Sequence, residues 1–162
     1  MQTNQNSKRI AHGAMVAALY VVLTLVFAPI SFGAVQLRVS EALSIMPMFG
    51  FSAVWGLFVG CLLANILGGA VLLDVIFGSL ATLIGAIGGY LLRKNRWLVP
   101  VPAIVSNAVI VPFVLKYGYG VDMPIWIMML YVAAGEIISC YILGEIFASI
   151  LKKNKNVFRK VN

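Results

Sequence analysis

The chain has 162 residues, 62% hydrophobic and 10% charged, with a formal net charge of +7. Soluble domains run at roughly 45–50% apolar and about 25% charged, and so short a chain cannot hide the excess in a larger core. A water-soluble globule is therefore excluded, and lipid is the solvent for most of the surface. The charge does not mark a nucleic-acid binder either. Ten of the twelve Lys and Arg form three clusters, Lys8-Arg9, Arg93-Lys94-Arg96 and Lys152, Lys153, Lys155, Arg159, Lys160, each beside an apolar run. That is how cytoplasmic loops and ends are built.

The first predicted helix covers about residues 10–28, opening after Lys8-Arg9 and stopped near Pro29. It carries Ala14 and Ala18 four apart, a small face that admits a neighbouring helix closely. His12 lies beside the basic pair and reads as structural. Residues 43–73 hold no charge, and as one helix they would run roughly 46 Å, too long for a hydrocarbon core of about 30 Å. Pro47, Gly50 and Ser52 offer a break, giving helices at about 37–49 and 52–70. The first of these is short for a span, so a re-entrant piece competes with a crossing. Further helices are predicted at about 74–92, 98–116 and 124–151, followed by a basic tail at 152–162. If the basic clusters share one side, parity demands six crossings with both ends inside. The expected architecture is one all-α domain of six transmembrane helices, residues 1–162. Its outer loops are then Ala28–Gln36, Gly68–Asp74 and Tyr117–Met123.

The ionisable residues at membrane depth are few: Arg38, Glu41, Asp74, Glu136 and Glu145, with Lys116 and Asp122 near an outer boundary. Each charge at a helix centre costs about 2.5–3.5 kcal/mol on insertion scales, so such groups usually face a bundle interior or a wet cavity. Arg38 and Glu41, three apart, share a helix face. They form either a local ion pair or one wall of an outward pocket, and both hold if the pair opens to receive a ligand. Glu136 lies about 18 Å along the last helix, too deep to snorkel. It reads as a ligand group, or as a hydrogen-bonded structural carboxyl. Glu145, nearer the inner end, suits a contact with the basic tail or a coupling contact. Asn107 is interhelical glue or part of the same pocket. Asn65 and Asp74 flank Gly68-Gly69, where cap and turn chemistry competes with ligand binding. Tyr117, Tyr119, Trp126 and Tyr131 read mainly as an interfacial belt, with one or two free to stack on a planar ligand. Cys61 and Cys140 read as small buried hydrophobes. No C-x-x-C or H-E-x-x-H pattern supports a metal, and no nucleophile-base constellation supports catalysis.

Two stretches carry a family resemblance: "AALYVVLTLVFAPISFGAVQLRVSEAL" at Ala17–Leu43 and "SAVWGLFVGCLLANILGGAVLLDVIFGSLATLIGA" at Ser52–Ala86. With the chain's size and helix count, they resemble the QueT family, queuosine-precursor-specific S components of energy-coupling factor (ECF) transporters. The resemblance implies a substrate-binding subunit without cofactor or enzymatic activity. It would take a 7-deazaguanine base from outside and associate with a membrane coupling subunit and two ATPase subunits. The family's Ala-xxx-Ala contact for the coupling subunit matches Ala14 and Ala18. The site expected for the ligand gathers Gln36, Arg38, Glu41, Asp74, Asn107, Tyr131 and Glu136. A guanine edge offers N–H donors to a carboxylate and a carbonyl to Arg, Asn or Gln. The competing readings are an S component for another planar nutrient of flavin or thiamine type, a small intramembrane enzyme, or a secondary transporter subunit.

Overall fold

The computed structural model describes residues 2–31 and 38–153; expectations for Gln36 and for the tail cations beyond 153 lie outside the described residues. Everything described is helix or short connection. Helix α1 is Gln2–Val26, followed by a helical turn at Ala28–Ser31. Then come α2 (Val39–Phe49), α3 (Ser52–Leu67), α4 (Asp74–Leu91), α5 (Val101–Tyr117) and α6 (residues 125–153). Four apolar stretches reach crossing length, namely Gln5–Val26, Asp74–Leu91, Arg96–Tyr117 and Ile125–Ser149, while α2 and α3 are shorter and apolar. Large apolar side chains stand outward on every long helix, among them Val22, Ile84, Val105, Leu130 and Ile142, each more than half exposed. In water that surface would be prohibitive; in lipid it is the ordinary state.

Helix α2 is the centre post. It touches α1, α3, α4 and α6, and Ser40 through Pro47 are buried without interruption. It is wound as a 3₁₀ helix across all eleven residues, although such runs seldom exceed four. At about 2.0 Å per residue it reaches roughly 22 Å, against about 16 Å for an α-helix of the same length. With three residues per turn, side chains three apart eclipse, and α2 resolves into ridges. Leu43 and Met46, with Phe49 behind them, pack on α1 and α3. Ile45 and Met48 pack on Val99, Phe147 and Ala148. Glu41 and Ser44 make up the polar ridge, in line with Arg38 just ahead of the helix.

Small residues let α1 and α3 close on each other. A Cβ added at Gly56 would lie 2.5 Å from the Gly13 carbonyl oxygen, and one at Gly60 would lie 2.8 Å from Tyr20 Cβ and 3.0 Å from Ala17 Cα. The seam therefore uses Gly13 and Ala17. Ala14 and Ala18, one position on, remain exposed. His12 pins one end of this seam, its Nδ1 2.9 Å from Ser52 Oγ.

Among the described residues, Arg9, Arg93 and Arg96 lie at one end of the bundle. Arg9 and Tyr90 line a common groove, and Arg93 lies 3.9 Å over the Tyr90 ring. Arg96 pairs with Glu145 on α6, its Nε 2.9 Å from Oε1. The sequence suggested a tail or coupling contact for Glu145. Among the described residues its partner is a cation of the α4–α5 connection, brought there because α5 and α6 run antiparallel; the tail beyond 153 lies outside them.

Candidate functional site

Opposite the basic end, the buried ions meet. Arg38 sits at the mouth of α2 in extended backbone, 5% exposed, and its Nη2 grips Asp74 at 3.0 Å to Oδ1 and 2.9 Å to Oδ2. Asp74 is wholly buried at the head of α4. Tyr119, from the α5–α6 loop, donates to Asp74 Oδ2 at 3.0 Å. Partial burial, then the negative charge of Asp74, push the Tyr119 phenol up to about 12, so it remains a proton donor across the physiological range. Asn65 of α3 donates to the Asp74 main-chain carbonyl at 3.1 Å. Asp74 thus does more than the turn chemistry its position suggested: it neutralises the guanidinium.

One layer deeper lie two carboxylates. Glu41, 1% exposed, accepts a hydrogen bond from the Tyr20 hydroxyl of α1. Thr82 of α4 places its hydroxyl 3.4 Å from the same oxygen and 3.4 Å from Cys61 Sγ. Glu136 of α6, 4% exposed, has the Cys140 thiol 3.3 Å from its Oε2 and Asn107 of α5 within hydrogen-bonding reach. Carboxylate oxygens of Glu41 and Glu136 and the Cys140 sulfur all fall within 4.8 Å of one another. Arg38 also reaches towards Cys61 at 3.8 Å, which links the two layers. Helices α1 to α6 each supply a residue.

Local winding aims these groups. Helix α4 opens with a π turn, Asp74–Gly78, and α6 passes through a π segment, Ile137–Leu143, directly after Glu136. Such insertions are rare and concentrate at functional sites. With the 3₁₀ winding of α2, each helix that carries an acid departs from α geometry beside it. A Cβ at Gly78 would meet Asp74 Oδ1, so any larger residue there would push the carboxylate off Arg38.

Of the residues singled out from sequence, Arg38, Glu41, Asp74, Asn107 and Glu136 converge. Tyr131 does not join them: it is 47% exposed, and five residues before Glu136 it points about 140° away around the helix. The buried face of α6 is set by Met128, Val132 and Glu136 instead. Tyr20, Thr82, Cys61 and Cys140 were missed as polar partners. Both cysteines are buried and free as expected; Cys61 packs in the apolar core of α1, α2 and α3, and each also touches a polar group of the ion cluster. A lone Tyr four residues before Thr24 in an otherwise aliphatic helix was the one available hint.

Two grooves lie elsewhere. One of about 680 Å³ runs along α1 and α3 at the basic end, lined by Arg9, Gly13, Ala14, Phe51, Trp55 and Tyr90 among others. The other, about 380 Å³, is apolar and lies between α4 and α5. Neither of these two is lined by the ion cluster.

A bundle that is helical throughout its described residues, with lipid-facing walls and a buried ionic centre, defines a multi-pass cell-membrane protein. A family model described as QueT transporter matches residues 10–153, and the chain belongs to that family. The protein named Queuosine precursor transporter QueT from Lactococcus lactis subsp. cremoris (strain MG1363) is 41% identical over 73 residues. That stretch is 44% of this chain and 43% of the relative, so the alignment spans less than half of either. No solved structure matches the chain.

Proposed function

We propose that this protein is the substrate-binding S component of an ECF-type importer and binds a queuosine precursor, a 7-deazaguanine base, from outside the cell. The observation that carries the reading is the buried convergence of Glu41 and Glu136 beneath the Arg38–Asp74 pair. Family membership narrows the ligand, and the chemistry of the cluster suits it. A carboxylate takes the ring N–H and exocyclic amine of a guanine edge, while Arg38 or Asn107 answers its carbonyl. Gln36 remains part of the proposed site; Tyr131, half exposed, is not retained. Opening of the Arg38–Asp74 pair admits the base.

In this reading all six helices cross, with both ends cytoplasmic. The grouping of Arg9, Arg93 and Arg96 at one end of the bundle supports that orientation, because cytoplasmic loops carry the cations. The ion cluster then lies towards the exterior. ATP is hydrolysed by two partner ATPases, reached through a membrane coupling subunit that docks on Ala14 and Ala18. The exposure of both alanines, beside a seam already occupied by α3, supports that assignment.

Two measurements test these points. Titration of the purified protein with 7-deazaguanine bases, riboflavin and thiamine is expected to give tight binding to the deazaguanines alone. In the same assay Glu136→Gln or Arg38→Ala is expected to weaken binding at least tenfold, about 1.4 kcal/mol. Unchanged affinity in both variants removes the site. Separately, Ala14→Trp is expected to leave ligand affinity intact while preventing co-purification with the coupling subunit. Uptake at the parental rate in that variant removes the contact.

A further inference from the structure

The arginines at the basic end are not matched alike. Arg96 is neutralised by Glu145. Arg9 lines the groove of about 680 Å³ along α1 and α3, and Arg93 lies 3.9 Å over the ring of Tyr90, which borders the same groove. The chain has five acids, and none of them lines this groove. Glu41, Asp74 and Glu136 belong to the buried cluster, and Asp122 lies in the α5–α6 loop. Among the described residues, the ion pairs are Arg38–Asp74 and Arg96–Glu145. Two exposed guanidiniums thus stand at the mouth of the groove with no acidic side chain paired to them.

Below the arginines the groove is largely apolar. Gly13, Ala14 and Gly56 form a floor without bulk, and Phe51, Trp55 and Val59 form a wall, 40–52% exposed. From Arg9 to Ala17, the span of α1 that lines the groove, the helix rises about 12 Å. The hydrocarbon of one leaflet is about 15 Å deep, half of a core of about 30 Å. A cationic mouth above an apolar slot of nearly that depth has the outline of a single phospholipid.

We infer that this groove seats an anionic phospholipid from the leaflet on the basic side, its headgroup held by Arg9 and Arg93 and one acyl chain lying against Trp55. Arg93 is prepared for that role. Stacking on Tyr90 engages the face of the guanidinium, while its N–H donors lie in the plane and can take phosphate oxygens in pairs. Basic pockets between helices on the cytoplasmic side take such headgroups. A zwitterionic lipid offers the same phosphate but carries a cation of its own, which the arginines repel. A second copy of this chain, packing by the same face, would set arginines against arginines. The inference does not depend on which small molecule the buried cluster binds. Ala14 lines the groove, so such a lipid and the coupling subunit proposed above exclude each other there.

The test reads Trp55 alone, in the full chain carrying Trp97→Phe and Trp126→Phe, reconstituted in phosphatidylcholine vesicles. Fluorescence quenching by brominated phosphatidylglycerol and by brominated phosphatidylcholine of the same chain length gives their relative affinity at this position. Phosphatidylglycerol is expected to bind at least fivefold tighter. Arg9→Gln with Arg93→Gln is expected to bring that ratio to within twofold of unity. Lys94→Gln with Lys116→Gln removes the same charge from outside the groove and the Tyr90 stack, and is expected to leave the ratio unchanged. Equal affinities in the parent protein overturn the lipid seat. An equal fall in both pairs of variants also overturns it, because net charge alone then draws the lipid. Quenching by neither lipid overturns it in favour of a protein occupant, and a dimer in ultracentrifugation then identifies a second copy.

Discussion

Arg38→Met is expected to destabilise the protein by about 3–5 kcal/mol, the usual consequence of removing one partner from a buried ion pair, and to abolish ligand binding. Asp74, wholly buried, would keep, among the described residues, the Tyr119 donor on its carboxylate. The cause is the stranded charge and not the lost side chain, so the second substitution discriminates. Asp74→Leu in the Arg38→Met background is expected to recover most of the stability, since apolar replacements of buried ion pairs are often neutral. It is expected to recover none of the binding. Thermal unfolding in detergent measures the first effect and ligand titration the second. Parental melting of Arg38→Met would mean that Asp74 finds another counter-charge. Recovery of binding in the double variant would remove Arg38 from ligand recognition.

Gly60→Val is the other large effect. The α1–α3 seam has no room for a side chain at this position, where even a Cβ meets Tyr20 and Ala17 at 2.8–3.0 Å. Overpacking of this kind costs about 1–3 kcal/mol, occasionally more. Here the helix that must retreat also carries the hydroxyl bonded to Glu41. Loss of stability and loss of ligand affinity should therefore appear together, with Gly60→Ala intermediate in both. A Gly60→Val protein that melts early yet binds normally would separate the seam from the site.

Much of the architecture can be read from residue types. Pro47 and Gly50 interrupt an apolar stretch too long for one crossing, and the structure ends α2 at Phe49 and starts α3 at Ser52. Arg38 and Glu41 declare themselves because charge is expensive in lipid. Met128, Val132 and Glu136, spaced by four, mark the inward face of α6 and could have excluded Tyr131. The partners of the acids were not legible, for a physical reason. Tyr20, Thr82, Cys61 and Cys140 are inexpensive in an apolar helix, so nothing local forces them into view. Their roles arise from helices crossing at chosen depths. Winding was equally hidden: the spacing of Arg38, Glu41 and Ser44 by three suits a 3₁₀ ridge, yet on an α-helix it passes for one shared face.

The division of α1 into two neighbouring small stripes has a mechanical result. Gly13 and Ala17 fasten the helix to its own fold, while Ala14 and Ala18 stay open to the bilayer. Anything that packs on the open stripe would leave every internal seam of α1 closed, so contact there need not loosen the fold.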